Sequence, residues 1–302
     1  MNFGDYRIEI IPDTEFRLDG GAMFGVVPRV IWERFCPPDE LNRIRLQMNC
    51  LFIETPDEKI LIETGIGEKW SEKEIKRYGI FREKPFTTTL FEKTGYTPED
   101  ITIVVNTHLH FDHAGGNTLI ADLGLRSADL EISKPKTNEK GVMTIAQFPN
   151  ARYFVSKSEF EQAENPHERH RASYLRENWA CLIESGQLEL KPDNYEVVEG
   201  LTMETVRGHS ETMQCVRLNR GDDTLYSFAD LIPTRHHLPL AWVMGYDLYP
   251  VETLEAKKRL LPQALKENWL CFFYHDFDSP LCRLMEVDGK LKAIAINEVT
   301  DA

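Results

Sequence analysis

No apolar stretch in the chain approaches the roughly 20 residues that a membrane-spanning helix requires. The opening Met1-Asn2-Phe3-Gly4-Asp5 begins neither a charged nor an apolar leader, so no signal peptide is expected. Cys36, Cys50, Cys181, Cys215, Cys271 and Cys282 are scattered, with no Cys-x-x-Cys pair. Several sit in apolar runs such as Leu270-Cys271-Phe272-Phe273 and read as buried thiols. A chain of 302 residues has no need of disulfide staples, which favours a reducing, cytoplasmic setting. Positive charge is scarce: 35 Lys and Arg stand against 49 Asp and Glu, a net −14. Such a surface repels nucleic acid and anionic membrane, and no local basic patch overrides it. Internal repeats and Gly/Ser-rich linkers are also missing. The expectation is a single domain over 1–302, with an apolar fraction of 42% to fill its core.

Against these absences stands one dense motif, His108-Leu109-His110-Phe111-Asp112-His113, with four potential metal ligands in six residues. It follows the β-branched run Ile101-Thr102-Ile103-Val104-Val105. In an extended chain side chains alternate, so His108, His110 and Asp112 project to one side. Residues two apart on a helix do not face each other, so this spacing belongs to a strand end or loop. Gly115 and Gly116 then allow a sharp turn.

The rest of the chain reads as two strand-rich stretches with helices between them. From Arg43 to Glu54, Ile44, Leu46, Met48, Cys50 and Phe52 fall on one face. Lys59 to Glu63 and Ile101 to Asn106 are further strands, and Thr97-Pro98-Glu99-Asp100 starts a short helix. Residues 127 to 140 are polar and lysine-rich and read as a surface insertion. Ser156-Lys157-Ser158-Glu159 is a capping-box signature. Asn165 to Glu184 reads as a helix whose apolar face holds Tyr174, Leu175, Trp179 and Leu182, with His167 and His170 exposed to solvent. Strands return at 187–190, 195–198, 201–206, 214–218 and 224–228. Val251 to Trp269 is a helix bent or ended near Pro262, and Leu270 to Tyr274 is a last core strand. The pattern alone leaves α/β and α+β both open, with two sheets packed face to face and helices outside.

Thr107-His108-Leu109-His110-Phe111-Asp112-His113-Ala114-Gly115-Gly116 resembles the diagnostic loop of the metallo-β-lactamase superfamily. Gly208-His209-Ser210, Phe228-Ala229-Asp230 and Tyr274-His275-Asp276 follow in the same order, and Ile60 to Gly67 resembles the strand ending in Asp-Thr-Gly. The matches run from about Arg43 to His275. Asp112 and Asp230, with no cysteine ligand, make the chain most similar to the N-acyl homoserine lactonase and lactonase-like branch. The chain departs from that pattern at Glu63, where aspartate is usual, and after His209. It also has Pro233 where the bacillary lactonases carry a tyrosine.

The resemblance implies a four-layered αββα sandwich. It also implies two zinc ions, with iron or manganese as alternatives. His108, His110 and His209 would hold one metal, Asp112, His113 and His275 the other, and Asp230 would bridge them. The implied activity is hydrolysis of a small-molecule lactone or ester by a metal-bridging hydroxide, N-acyl homoserine lactones leading, with Asp112 as proton shuttle. Other metallo-hydrolase activities (thioesterase, aryl-esterase, phosphotriesterase) and a mononuclear iron oxidoreductase acting on sulfur compounds are the rivals. Glu63 and Thr64 are expected to orient a ligand histidine. Met23, Phe24, His236, His237 and Trp242 are expected around the substrate, with Met244 and Tyr246 nearby, and a homodimer is left open.

Overall fold

The alternation of branched apolar residues with polar ones builds, among the described residues, two seven-stranded sheets and a separate two-stranded pair. The computed structural model describes residues 1–121 and 143–296, so the insertion expected at about 127–140 lies outside the described residues. The chain begins with β1 (Asn2–Phe3), β2 (Tyr6–Asp19), β3 (Arg43–Glu54), β4 (Lys59–Ile62) and β5 (Ile103–Val105). The small pair β6 (Thr118–Ile120) and β7 (Thr144–Ala146) precedes β8 (Arg152–Ser156) and β9 (Leu188–Lys191). The first sheet is ordered β1-β2-β3-β4-β5-β8-β9, with β4, β5, β8 and β9 mutually parallel.

The second sheet runs in chain order. Its strands are β10 (Asn194–Val198), β11 (Leu201–Thr205), β12 (Gln214–Arg220), β13 (Asp223–Ser227), β14 (Leu270–Phe272), β15 (Leu281–Val287) and β16 (Lys290–Ala295). Only β13 and β14 pair in parallel there, because a helix connects them.

Helices α1 (Gly20–Phe24) and α2 (Arg29–Trp32) follow β2, and α3 (Glu72–Tyr78) and α4 (Phe86–Thr94) precede β5. The short α5 (Phe111–Ala114) lies in the histidine motif, α6 (Lys157–Glu164) and α7 (Ala180–Glu184) separate β8 from β9, and α8 (Pro250–Lys266) precedes β14. No described helix is long and apolar enough to cross a membrane.

Three apolar clusters set the layers. Ile60, Ile62, Ile103 and Val105 of the first sheet meet Leu201, Met203, Val216 and Leu218 of the second between the sheets. The alternate residues Leu61 and Val104 face outward against Phe86 and Leu90 of α4. Tyr226, Cys271 and Cys282 do the same against Leu260, Leu261 and Ala264 of α8. Helix, sheet, sheet, helix is therefore the observed order, the metallo-β-lactamase fold. Among the described residues the cysteines form no disulfide; Cys50, Cys215, Cys271 and Cys282 are fully buried, and Cys36 and Cys181 partly so.

Several local expectations need correction. β3 does not keep one apolar face: Ile44, Leu46 and Met48 point inward, but Cys50 and Phe52 point outward, with Leu51 and Ile53 taking the inner side. The phase changes where its pairing with β2 shifts register between Pro12 and Glu15. There β3 also binds the far sheet, Gln47 N donating to His275 O and Asn49 N to Tyr274 O.

Residues 165–184 are not one helix but two 3-10 turns, Arg171–Ser173 and Arg176–Asn178, before α7. Tyr174 makes a backbone bridge to His110, which a continuous helix would forbid. His170 is consequently buried, contrary to the exposed position expected of it. Helix α8 runs through Pro262 to Lys266, its buried Leu260, Leu261 and Ala264 offsetting the lost hydrogen bond. Ser156 caps α6 through the Glu159 amide, but the Glu159 side chain turns elsewhere, so the reciprocal half of a capping box is missing.

Candidate metal centre

Parallel strands send their following loops out at one sheet edge, and that edge is where the polar residues collect. After β5 comes the His108–His113 stretch. Next to it, after β4, the Glu63 amide donates to Val105 O and the Thr64 amide to His113 O. Gly115 and Gly116 serve close approach rather than an unusual turn. A Cβ on Gly115 would stand 2.2 Å from Ile66 O, and one on Gly116 2.2 Å from Thr64 O. Glu63 itself holds φ 65, a conformation that non-glycine residues seldom adopt.

The second sheet supplies the facing residues. His209 lies in the loop between β11 and β12, which is strapped down by Leu248 N to His209 O and Tyr249 N to Gly208 O. Asp230 follows β13 on a tight turn entered through Ala229 at φ 46. His275 follows β14, its amide bonded to Pro233 O.

These seven residues meet as two buried groups sharing one carboxylate. His108, His110, His209 and Asp230 form one, and Asp112, His113, Asp230 and His275 the other, each group's donor atoms lying within 4.8 Å of one another. His110 Nδ1 sits 3.0 Å from His108 Nε2 and 3.2 Å from His209 Nε2. Asp230 Oδ1 lies 3.1 Å from His275 Nε2 and 3.2 Å from His113 Nε2, while Oδ2 lies 3.5 Å from His209 Nε2. Asp112 Oδ2 is 3.5 Å from His275 Nε2.

Converging nitrogens of this kind cannot satisfy one another, since each neutral ring has only one N–H. His113 Nε2 and Asp230 Oδ1 are buried and, although 3.2 Å apart, neither makes a contact with hydrogen-bond geometry. Buried donors left unpaired in this way fit cations, and imidazole with carboxylate is the donor set of zinc and its neighbours. The residues present therefore fit a binuclear metal site.

Outer hydrogen bonds orient most of the rings. His113 Nδ1 lies 3.1 Å from Glu63 Oε1, which also accepts from the Thr107 amide at 3.1 Å and from the Thr107 hydroxyl. His108 Nδ1 is 3.0 Å from Thr107 Oγ1. His209 Nδ1 is 3.0 Å from Asp247 Oδ1, and Thr253 donates to the other Asp247 oxygen at 2.6 Å. His275 Nδ1 is 3.3 Å from Gln47 O. Thr64 reaches His113 O at 3.1 Å and Asn117 Oδ1 at 2.9 Å. Glu63 lies within ligand distance of His108 and His113 but is occupied by these contacts, so it holds ligands rather than joining them.

Charge within the cluster follows from this packing. Burial, and then the neighbouring imidazoles, push His108 and His110 well below the usual histidine range, leaving neutral rings with free lone pairs. Burial opposes ionisation of Asp230, but His113, His275 and His209 outweigh it and hold the carboxyl well below its ordinary value. Burial likewise opposes a charged His113, and Asp230, Glu63 and Asp112 overcome it and raise the ring well above its usual range.

The five residues expected around the substrate occupy varied settings. Met23 and Phe24 are buried in the inner core. His237 stacks on Phe24 at 4.6 Å, and its ring nitrogens are used by Thr234 Oγ1 at 2.8 Å and Met23 O at 2.9 Å. His236 and Trp242 keep partial exposure and line a groove of about 970 Å³ between α8 and the β15–β16 hairpin. Lys257, fully buried, pins this segment by donating to His237 O, Pro239 O and Trp242 O at 2.5, 2.8 and 2.9 Å.

Sequence reasoning missed Asp247, Gln47, Glu159, His170 and the aromatic wall of Trp70, Tyr78 and Phe111. Phe111 lies 5.3 Å from Trp70 and 5.4 Å from Tyr78 by ring centroids. Only Phe111 carried a signal, its place between His110 and Asp112.

Comparison with known proteins agrees with this geometry. The family description of the metallo-beta-lactamase superfamily matches residues 43–124. An N-acyl homoserine lactonase from Bacillus cereus is 26% identical over 251 residues, covering 78% of this chain and 84% of that protein. The crystal structure of a probable metal-dependent hydrolase from Staphylococcus aureus superposes with a TM-score of 0.82 at 29% identity, covering 98% of both chains. AidC, a dizinc quorum-quenching lactonase in complex with a product, superposes with a TM-score of 0.74 at 18% identity, covering 98% of this chain and 96% of its own.

Proposed function

Since the chain belongs to the metallo-β-lactamase superfamily and is a metallo-hydrolase with two His/Asp groups, we propose that it opens lactone rings, N-acyl homoserine lactones foremost. One observation carries the reading: two buried donor groups meet on the shared carboxylate Asp230. The lactonase relatives cover most of the chain, and AidC is described with a lactonase product bound. In this reading His108, His110 and His209 hold one cation, Asp112, His113 and His275 the other, and Asp230 both. Zinc is the proposed metal, and the whole chain works as one domain.

When bound, a pair of divalent cations supplies Lewis acidity and lowers the pKa of coordinated water from ~15.7 toward ~7. The chain's own residues then handle geometry and protons. Glu63, Thr107, Asp247 and Gln47 fix ring orientations, so little reorganisation is needed during reaction. Asp112 is the most exposed of the seven at 7%, which leaves it open to the reacting groups. Its carboxylate takes a proton from water as the carbonyl carbon–oxygen bond forms. It returns the proton to the ring oxygen as the ring bond breaks, giving the hydroxy acid. The Trp70–Tyr78–Phe111 wall beside these donors suits an apolar acyl chain, with Trp242 and His236 proposed as further contacts.

Hydrolysis of N-hexanoyl homoserine lactone, a simple γ-lactone, a thioester and a phosphotriester, with metal analysis of the same sample, tests the reading. Lactone opening with two zincs per chain is expected. A single iron with no hydrolysis, or preference for thioester or phosphotriester, would overturn it.

A further inference from the structure

Four of the five imidazoles facing the two donor groups have an outer hydrogen-bond partner: His108 has Thr107, His113 has Glu63, His209 has Asp247 and His275 has the Gln47 carbonyl. His110 is the exception. Its Nδ1 is turned to the cluster, and its Nε2 is buried with no partner. Beside it lies another ring with a matching gap. His170 sits 4.8 Å from His110 and 5.3 Å from His209 by ring centroids. Its Nε2 is 3.0 Å from Tyr246 O. A carbonyl only accepts, so His170 Nε2 carries the hydrogen and Nδ1 carries a lone pair. That Nδ1 is also buried without a partner.

We infer that His170 is the positioning residue for His110, accepting at Nδ1 the hydrogen bond that His110 Nε2–H donates once His110 Nδ1 holds a metal. The inference rests on the metal-site reading above. The rings stand nearly perpendicular, at 76°. His170 reaches a second ligand as well. Its bond to Tyr246 O, with Arg169 Nη2 donating to Gly245 O at 2.5 Å, clamps the segment that ends in Asp247. Asp247 in turn orients His209, so His110 and its neighbour His209 both depend on residues 169–170.

Two substitutions separate the roles of the two ring nitrogens. His170→Gln places an amide N–H near the Nε2 position, keeping the donor to Tyr246 while removing the Nδ1 acceptor. His170→Asn places an oxygen near the Nδ1 position. Metal affinity of each full-length protein is read by competition with a chromophoric zinc chelator, independently of turnover. His170→Gln is expected to bind one metal equivalent about 10–100-fold more weakly, the usual cost of losing an outer partner. His170→Asn gives up the bond to Tyr246 O, but Arg169 still holds Gly245 O, so its affinity is expected to stay within a few-fold of the parent. Unchanged affinity in His170→Gln, or equal loss in both variants, overturns the inference, since a merely structural histidine predicts no rescue by asparagine. His110→Ala in the same titration keeps the two levels apart. If it loses one metal while His170→Gln does not, only the pairing fails; if it too keeps both metals, the site reading fails.

Discussion

Replacing Glu159 by glutamine tests whether the carboxyl behind the two histidine loops holds a proton. Glu159 is fully buried in α6 and accepts from the Leu109 amide at 2.8 Å, from Tyr174 Oη at 3.1 Å and from the Thr212 hydroxyl. It thereby ties the His108–His113 loop to the His209 loop. Burial pushes its carboxyl up from an ordinary 4.5 to about 7, against the opposing pull of those hydrogen bonds. A carboxyl that binds its proton more tightly folded than unfolded favours folding below about pH 4.5, and that contribution is lost as the pH rises through about 7. At about 1.36 kcal/mol per pH unit, the displacement is worth about 3 kcal/mol.

Glutamine copies the protonated form. Its N–H donates to Thr212 Oγ1 while the Thr212 hydroxyl turns to Gln162 Oε1, which lies 3.2 Å away. Urea unfolding of metal-depleted parent and Glu159→Gln at about pH 5 and about pH 8 removes the metal's own pH dependence from the comparison. The parent should lose about 2–3 kcal/mol relative to the variant between those two values. A gap that stays constant with pH refutes the reasoning.

Three further outcomes follow from the same geometry. Asp230→Asn removes the charge common to both groups. Metal content should fall below two per chain and lactone opening by more than about 100-fold, beyond what outer-partner changes cost; elemental analysis with an activity assay decides. Asp247→Ala leaves His209 Nδ1 and the Thr253 hydroxyl without their acceptor, so zinc affinity should drop about 10–100-fold in a chelator titration. Gly208→Ala puts a Cβ 2.6 Å from Thr253 Oγ1 and 2.8 Å from Leu231 Cδ1, so thermal unfolding should report about 1–3 kcal/mol of lost stability.

Strand placement was legible wherever alternation and β-branching agreed, as in Lys59–Ile62 and Ile103–Val105, because those signals are local. It failed where a strand bends between two sheets. The inward phase of Ile44, Leu46 and Met48 reverses beyond Asn49 because β3 there bonds to the Tyr274–His275 segment. The long strand β2, the helices α3 and α4 and the β15–β16 hairpin were not anticipated. Each joins apolar and charged residues without a sustained period. In 165–184 a helical pattern of apolar residues lost to the backbone bridge between Tyr174 and His110.

The amino-acid order alone was enough to name the chemistry. His108, His110 and Asp112 sit two apart after a β-branched run, and an extended backbone must throw such residues to one side. The later donors His209, Asp230 and His275 came from the family resemblance that this motif carries, not from spacing. Apart from Glu63, already expected behind a ligand histidine, folding alone chose what stands behind them: Gln47, Asp247, Glu159 and His170. Asp247 is 38 residues from the ring it orients, and Glu159 is 50 from the amide it holds. A hydrogen bond depends on direction and separation in space, and no local spacing encodes either across two sheets.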